Sequence, residues 1–293
     1  MTLQYATILF LLSFYTILVV SADLTSGMAN LLAFCQAAFC GIGAYLSAFF
    51  LINCHLPFLL VALAVMLATG LCGILVSLAS MRLKGDYFVL ATLAFQIIVF
   101  VVFYNWTSVT GGDEGTPSFD RIQLFFGKLA LSDGAFALLS LCLAILSVLL
   151  VAALQRSPFG RLLRAIRADE KAVEALGHNV SVLKIRAFFI SAALSGLAGL
   201  LYAAFHGYVE PTAFTISDSL LIITALFLGG TGNWRGPVLG AFVIVLLPEI
   251  LRGIGLEQEM VNNLKQVIYG LLLVGIMFFR PQGLLGEKTM GGK

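Results

Sequence analysis

Residues Leu56–Ser80 read LPFLLVALAVMLATGLCGILVSLAS, twenty-five positions without one charged side chain. At a helical rise of about 1.5 Å per residue, a bilayer core of about 30 Å is crossed by roughly 17–25 apolar residues. This stretch is long enough. Its neighbours extend the pattern, since Asp23 is the only charged residue between Met1 and Met81. Over all 293 residues 60% are apolar and 11% charged, against about 45–50% and about 25% in a soluble domain. No water-facing surface can be covered that way, which excludes a soluble enzyme. A net charge of +2 without a basic tract excludes a nucleic-acid partner and a disordered chain. The apolar runs are continuous, whereas a membrane barrel alternates over segments of about ten residues. The sequence therefore predicts an all-α, polytopic membrane helix bundle.

Nine runs are candidate spans: Tyr5–Ala22, Leu31–Asn53, Leu56–Ser80, Tyr87–Tyr104, Ala135–Leu154, Ala187–Gly207, Ile216–Gly230, Gly236–Leu251 and Leu264–Phe279. The seventh is short and ends in glycine, as a broken or re-entrant helix does, so the expected count is eight to ten. The first run lacks a basic leader and reads as a retained span. No polar connection is long enough for a soluble domain, so residues 1–293 read as one transmembrane domain. Five cysteines without Cys-x-x-Cys or Cys/His spacing support neither a disulfide framework nor a metal site.

Lys and Arg placement orients the chain. Residues 155–186 hold Arg156, Arg161, Arg164, Arg167, Lys171, Lys184 and Arg186, seven of the seventeen cations. Residues 105–133 carry Asp113, Glu114, Asp120 and Asp133 against Arg121 and Lys128. The first loop is expected in the cytoplasm and the second outside. Arg82, Lys84, Arg280, Lys288 and Lys293 then fall inside, Glu257 and Glu259 outside, and nine spans require an external N-terminus.

Ser157-Pro158-Phe159-Gly160 opens the cytoplasmic loop with a turn. Arg161–Leu176 follows as an amphipathic helix with Leu162, Ala165, Ile166, Ala172, Val173 and Leu176 on its apolar stripe, ended by Gly177. Two readings stand for it: a solvated loop that fixes topology, or a surface for a cytoplasmic partner. Asp169, Glu170 and Glu174 favour the second, because positive-inside charge does not require acids.

The segment Glu170-Lys171-Ala172-Val173-Glu174-Ala175-Leu176-Gly177 resembles the Glu-Ala-Ala…Gly loop of ABC-importer permeases. Lys171 stands where that motif has Glu, and no Ile-x-Leu-Pro follows. Five further blocks are collinear with the branched-chain amino-acid permeases: Gln36–Tyr45, Arg82–Leu93, Thr110–Gly115, Gly229–Ala241 and Arg280–Leu284. The resemblance runs from about Leu24 to Gly286 and is closest to the M-type permease. It implies a multi-pass subunit of the bacterial inner membrane whose Arg167, Asp169, Glu170, Glu174 and Gly177 lie in the loop that couples to ATPases. It further implies two ABC ATPase subunits, a homologous second permease and an external substrate-binding protein, with lipid around the helices. The cargo would be a branched-chain amino acid; urea, short amides or other amino acids are the alternatives. No Gly-x-x-x-x-Gly-Lys-Ser/Thr occurs, so nucleotide chemistry would belong to other chains. No catalytic constellation, cofactor or metal is expected. An ion-coupled carrier, the remaining rival, would place an ionisable residue at the bilayer midplane.

Translocation-path candidates carry two readings each. Thr110, Gly111 and Gly112, with Gly115, either offer backbone amides to a carboxylate or form a surface turn. Gly229, Gly230 and Gly232 either interrupt a helix along the path or form a cytoplasmic turn. Gly85 and Asp86 either enter the path or start a helix with an acid near its positive end. Asp23 is expected to face water, and Glu249 to pair with Arg252. Ser191, Ser195 and Gly199, with Ala192 and Gly196, form a small-residue face for close helix packing. His55, His178 and His206 share no ligand spacing.

Overall fold

The structure, a computed structural model, describes residues 2–53, 57–80, 83, 85–117, 123–125, 127–130, 133–253, 264, 267–272, 274–275 and 283–285. Its long helices are α1 (Thr2–Ala22), α2 (Gln36–Asn53), α3 (Phe58–Ser80) and α4 (Asp86–Asn105). After a single turn, α5 (Thr107–Thr110), come α6 (Asp133–Arg156), α7 (Pro158–Ala168), α8 (Glu170–Ala175) and α9 (Val180–His206), then α10 (Ile216–Gly229) and α11 (Arg235–Gly253). A short hairpin, β1 (Gln123–Phe125) with β2 (Gly127–Ala130), decorates the loop between α5 and α6. Among the described residues, six helices are long and apolar enough to cross a membrane, fewer than the nine runs. The apolar part of α2 is slightly too short, and the last run is described only in part. Cys54, His55, Arg82, Lys84, Asp120, Arg121, Glu257, Glu259, Arg280, Lys288 and Lys293 lie outside the described residues, as does the side chain of Arg252.

The bundle is built around α9. Helices that are apolar all round show no preferred face by hydropathy, so packing is decided by size. On α3, Leu59, Leu63, Leu67, Leu71, Leu75 and Leu78 point outward, while Val65, Thr69, Gly70, Gly73 and Ser77 are buried. Without water between helices, large side chains are as content in lipid as in protein, and small ones let backbones approach. The small face of α9 does this on two sides. A Cβ on Gly73 would meet Ala192 Cβ at 2.6 Å, and one on Gly43 would meet Gly196 Cα at 2.6 Å. The predicted close packing at Ser191, Ser195 and Gly199 is thus within the chain, against α1, α2 and α3.

The loop between α5 and α6 and the cationic loop lie at opposite ends of the bundle. At one end Phe10 of α1 stacks on Phe205 of α9 at 4.0 Å and lies 6.2 Å from Phe136 of α6. There, too, Thr116 N donates to Val209 O (2.8 Å). At the other end lie the cationic loop and the turn after α10. The start of α4 is at that second end, since Phe88 meets Phe188, early in α9, at 5.8 Å.

The structure corrects three local expectations. The first span does not stop at Ala22: a π-helix, Asp23–Met28, extends it. The run Leu31–Asn53 is not one helix, because residues 31–35 are non-helical and Asn30 takes φ 54°. The freed backbone donors are satisfied from neighbouring helices: Phe34 N by Thr92 Oγ1 (3.2 Å), Ala37 N by Ser219 Oγ (3.1 Å) and Ala38 N by Gln96 Oε1 (2.7 Å). A broken helix is tolerated in a bilayer only with such partners. Third, the predicted helix Arg161–Leu176 is two helices, divided at Asp169 (φ −156°, ψ 107°).

Candidate functional site

Asp23 is the organising residue of the end that carries the cationic loop, and the expectation that it faces water fails. It is fully buried. Its Oδ2 accepts from Gln155 Nε2 near the end of α6, and its Oδ1 from Gly232 N in the turn after α10, both at 2.9 Å. Gln155 Oε1 in turn accepts from Trp234 N (3.0 Å). A carboxylate taken out of water needs donors for its lone pairs, and here they come from positions 132 and 209 residues away. Gly27 sits one turn on, where any Cβ would collide with the Asp23 carboxylate.

Arg167 joins this cluster to the cationic loop. From α7 its Nη1 donates to Gly27 O (2.6 Å) and its Nη2 to Thr231 Oγ1 (3.2 Å). One guanidinium thus holds the end of the first span and the turn after α10. Leu163 and Ile166 anchor α7 into the bundle, and Arg164 Nη2 donates to Gln155 O (2.8 Å). Through Arg164 and Arg167, α7 is thus bonded to the ends of the first span and α6 and to the turn after α10.

The rest of the loop faces outward. The Asp169 carboxylate accepts from Lys171 N (2.9 Å) and Ala172 N (3.2 Å) and so caps α8, which is why the helix restarts there. Asp169→Ala is expected to destabilise α8 locally by about 1 kcal/mol, measured as faster amide exchange at Lys171 and Ala172. Glu170 pairs with Lys184 at 2.8 Å on the surface, and Glu174 is exposed. Gly177 closes the segment at φ 85°. Of the predicted apolar stripe, Ile166 and Val173 are buried and Leu162 half-buried. Ala165, Ala172 and Leu176 are exposed, Leu176 by 78%. The break at Asp169 rotates α8 out of register with α7, which leaves that side chain uncovered.

A second polar cluster lies deeper in the bundle and was not singled out from the sequence. Gln36, at the start of α2, donates from Nε2 to Ser191 Oγ (2.9 Å) and accepts at Oε1 from Ser195 Oγ (2.6 Å). Ser191 Oγ donates to Ser21 O (2.7 Å), and Ser21 Oγ lies 3.0 Å from Ser195 Oγ. Across α2, Gln96 Nε2 donates to Phe214 O (2.9 Å) while its Oε1 also accepts from Ser219 Oγ (3.0 Å). The available signal was two glutamines inside otherwise apolar runs.

The other path candidates are not brought together with this cluster. Thr110 Oγ1 donates to Phe103 O and Trp106 O, both 2.7 Å, and accepts from Gly112 N (3.3 Å). Gly111, Gly112 and Gly115 have φ of 79°, 66° and 76°, and buried Gly115 packs on Val209. They form the turn that pins the loop between α5 and α6 to the α9–α10 connection. Gly85 (φ 57°) precedes α4 and Asp86 occupies its first turn, both exposed at the end that carries the cationic loop. Gly229 ends α10, and Gly230 and Gly232 (φ 103° and 90°) shape the turn that Asp23 and Arg167 hold. Leu284 N and Leu285 N donate to Leu228 O (3.1 Å) and Gly229 O (2.9 Å), closing the end of α10. Among the described residues no three His, Cys, Asp or Glu side chains are grouped to hold a metal.

Residues 4–277 match the family model described as branched-chain amino acid transport system / permease component. The chain is 33% identical to the high-affinity branched-chain amino acid transport system permease protein LivM of Salmonella typhimurium, over 92% of this chain and 67% of that protein. It is 31% identical to the probable branched-chain amino acid transport permease protein LivM of Methanocaldococcus jannaschii, over 78% and 69%. With the permease LivH of Escherichia coli it shares 25% identity over 95% and 93%. No solved structure matches the chain.

Proposed function

We infer the function from the family: the chain belongs to the permease component family of branched-chain amino acid transport systems, and it serves as a multi-pass inner-membrane subunit of an ATP-driven importer for branched-chain amino acids. The observation that carries the reading is the match over residues 4–277. The chain is a transport subunit and not an enzyme. Two ATPase subunits, a second permease and an external binding protein complete the importer, within a lipid bilayer.

On this reading the outward-facing part of the loop, Asp169, Glu170, Glu174 and Gly177 with exposed Leu176, meets the ATPase. Arg167 carries the displacement inward. Motion of α7 pulls on Gly27 and Thr231 together, so the first span and the turn at Gly229, Gly230 and Gly232 move as one. Gly85 and Asp86 shape the cytoplasmic rim. Thr110, Gly111 and Gly112 hold the external loop against the α9–α10 connection, where the binding protein would deliver. Buried Asp23 does not favour an ion-coupled carrier, because its carboxylate is already held by two donors at the cytoplasmic end.

The test is reconstitution in vesicles with the partner chains. ATP-driven leucine uptake is expected, and uptake by this chain alone under a proton or sodium gradient would sink the reading. Glu174→Lys with Glu170→Lys should reduce ATP-driven uptake at least tenfold while leaving ligand capture by the binding protein intact. In the Glu170–Lys184 pair the carboxylate is about half exposed and the lysine mostly covered, so loss of the pair costs about 1 kcal/mol.

A further inference from the structure

Three contiguous cavities run along α6 from the middle of the bundle to its cytoplasmic end. The deepest, about 320 Å³, is walled by Leu12, Ala144, Val148, Val238 and Phe242 among others, almost wholly apolar. The second shares Val148 and Leu149 with it and reaches Arg156 and Ser157. The third, about 220 Å³, mixes polar and apolar surface and is lined by Gln155, Arg156, Arg164, Asn233 and Arg235 beside Ala152 and Trp234. Trp234 borders all three. Its backbone is tied to Gln155, and the Arg235 guanidinium lies 5.4 Å from its ring centre.

The chemistry changes along the groove as it does across one bilayer leaflet. From Leu141 to Arg156 the helix rises about 22 Å, and half of a bilayer with its headgroups is about 20–22 Å. The inner part is almost wholly apolar, with Ser13 and Thr16 the hydroxyl side chains in its wall. A tryptophan stands where aromatic side chains mark the interface. Three arginines line the outer part, and no described carboxylate forms an ion pair with Arg156 or Arg235. The arginines lie on the side that positive-inside charge assigns to the cytoplasm. A neutral ligand would leave the charge of Arg156 and Arg235 without a counterion, and a free anion would leave the apolar walls empty. A phosphate carrying acyl chains answers both.

We propose that this groove binds one anionic phospholipid of the cytoplasmic leaflet, its acyl chain along α6 beside Val148 and Phe242 and its phosphate between Arg156 and Arg235. The site touches the Asp23 cluster through Gln155 and Trp234, so lipid occupancy would stiffen the turn that Arg167 also holds.

Trp234 reports on it directly, because the chain has two tryptophans and Trp106→Phe leaves this one. The full-length Trp106→Phe chain is placed in phosphatidylcholine vesicles containing equal small fractions of either dibrominated phosphatidylglycerol or dibrominated phosphatidylcholine. Phosphatidylglycerol is expected to quench Trp234 at least twofold more strongly. Adding Arg156→Gln and Arg235→Gln should bring its quenching down to the phosphatidylcholine level, with helical circular dichroism unchanged. Equal quenching by the two lipids in the parent chain would overturn the proposal without recourse to any variant. So would a preference that survives loss of both arginines, or one that millimolar glycerol phosphate abolishes, which would mark a free-anion site. Absence of quenching by either lipid, with a dimer of the chain cross-linked through this face, would assign the groove to protein contact instead.

Discussion

Asp23→Ala is expected to cost the folded chain about 3 kcal/mol and to abolish transport in the assembled system. Removing the carboxylate strands two donors, Gln155 Nε2 and Gly232 N, in a fully buried site. Each unsatisfied buried donor costs about 1–3 kcal/mol, less where a neighbour can be recruited. Little can be recruited here, since Gln155 Oε1 is engaged by Trp234 N and a flip would break that bond too. Asp23→Asn distinguishes geometry from charge. It keeps the shape and one acceptor but turns an NH₂ toward either Gln155 or Gly232, so it should fall between wild type and alanine. The measurement is the unfolding midpoint in mild detergent, expected to drop by at least about 6 °C for alanine, together with ATP-driven uptake. An alanine variant as stable and active as wild type would show that this network does not hold the helix ends.

The second large effect is expected at Gly199→Leu. A Cβ there would overlap the carbonyl oxygen of Cys40 and lie 2.7 Å from Ala44 N, so backbone and not a flexible side chain must yield. Overpacking a tight core costs about 1–3 kcal/mol, and separating α2 from α9 also stretches the Gln36 bonds to Ser191 and Ser195. Recovery of monodisperse protein after size exclusion should fall at least fivefold. Gly134→Leu is the control, because nothing lies within 4 Å of a Cβ at that position on α6. Equal recovery of the two variants would mean that α2 and α9 do not cross as closely as drawn.

Much of the architecture is legible in the sequence. Hydropathy is local, and so is the placement of Lys and Arg, which is why the helix type, the charged loop and the two ends of the bundle all follow from reading along the chain. Ser191, Ser195 and Gly199 announced a packing face by their four-residue spacing. Asp23 was misread for a reason of the same kind. A lone acid at the end of an apolar run looks like an interfacial residue when its only visible neighbours are Ala22 and Leu24. Its real neighbours come from α6 and from the turn after α10. Gln36 and Gln96 each look, in isolation, like a tolerated polar residue in an apolar run. Together they supply donors and acceptors to a broken helix whose break leaves no mark in hydropathy.

By itself, then, the sequence determined that this is a membrane-spanning helix bundle with its cations on one side, because the bilayer tests each segment separately for length and charge. The tertiary structure alone decided which small residues touch, where the second helix breaks, and that Asp23, Gln155, Gly232 and Arg167 form one junction. Hydrogen bonds and close packing are satisfied between segments, and no single segment carries both partners.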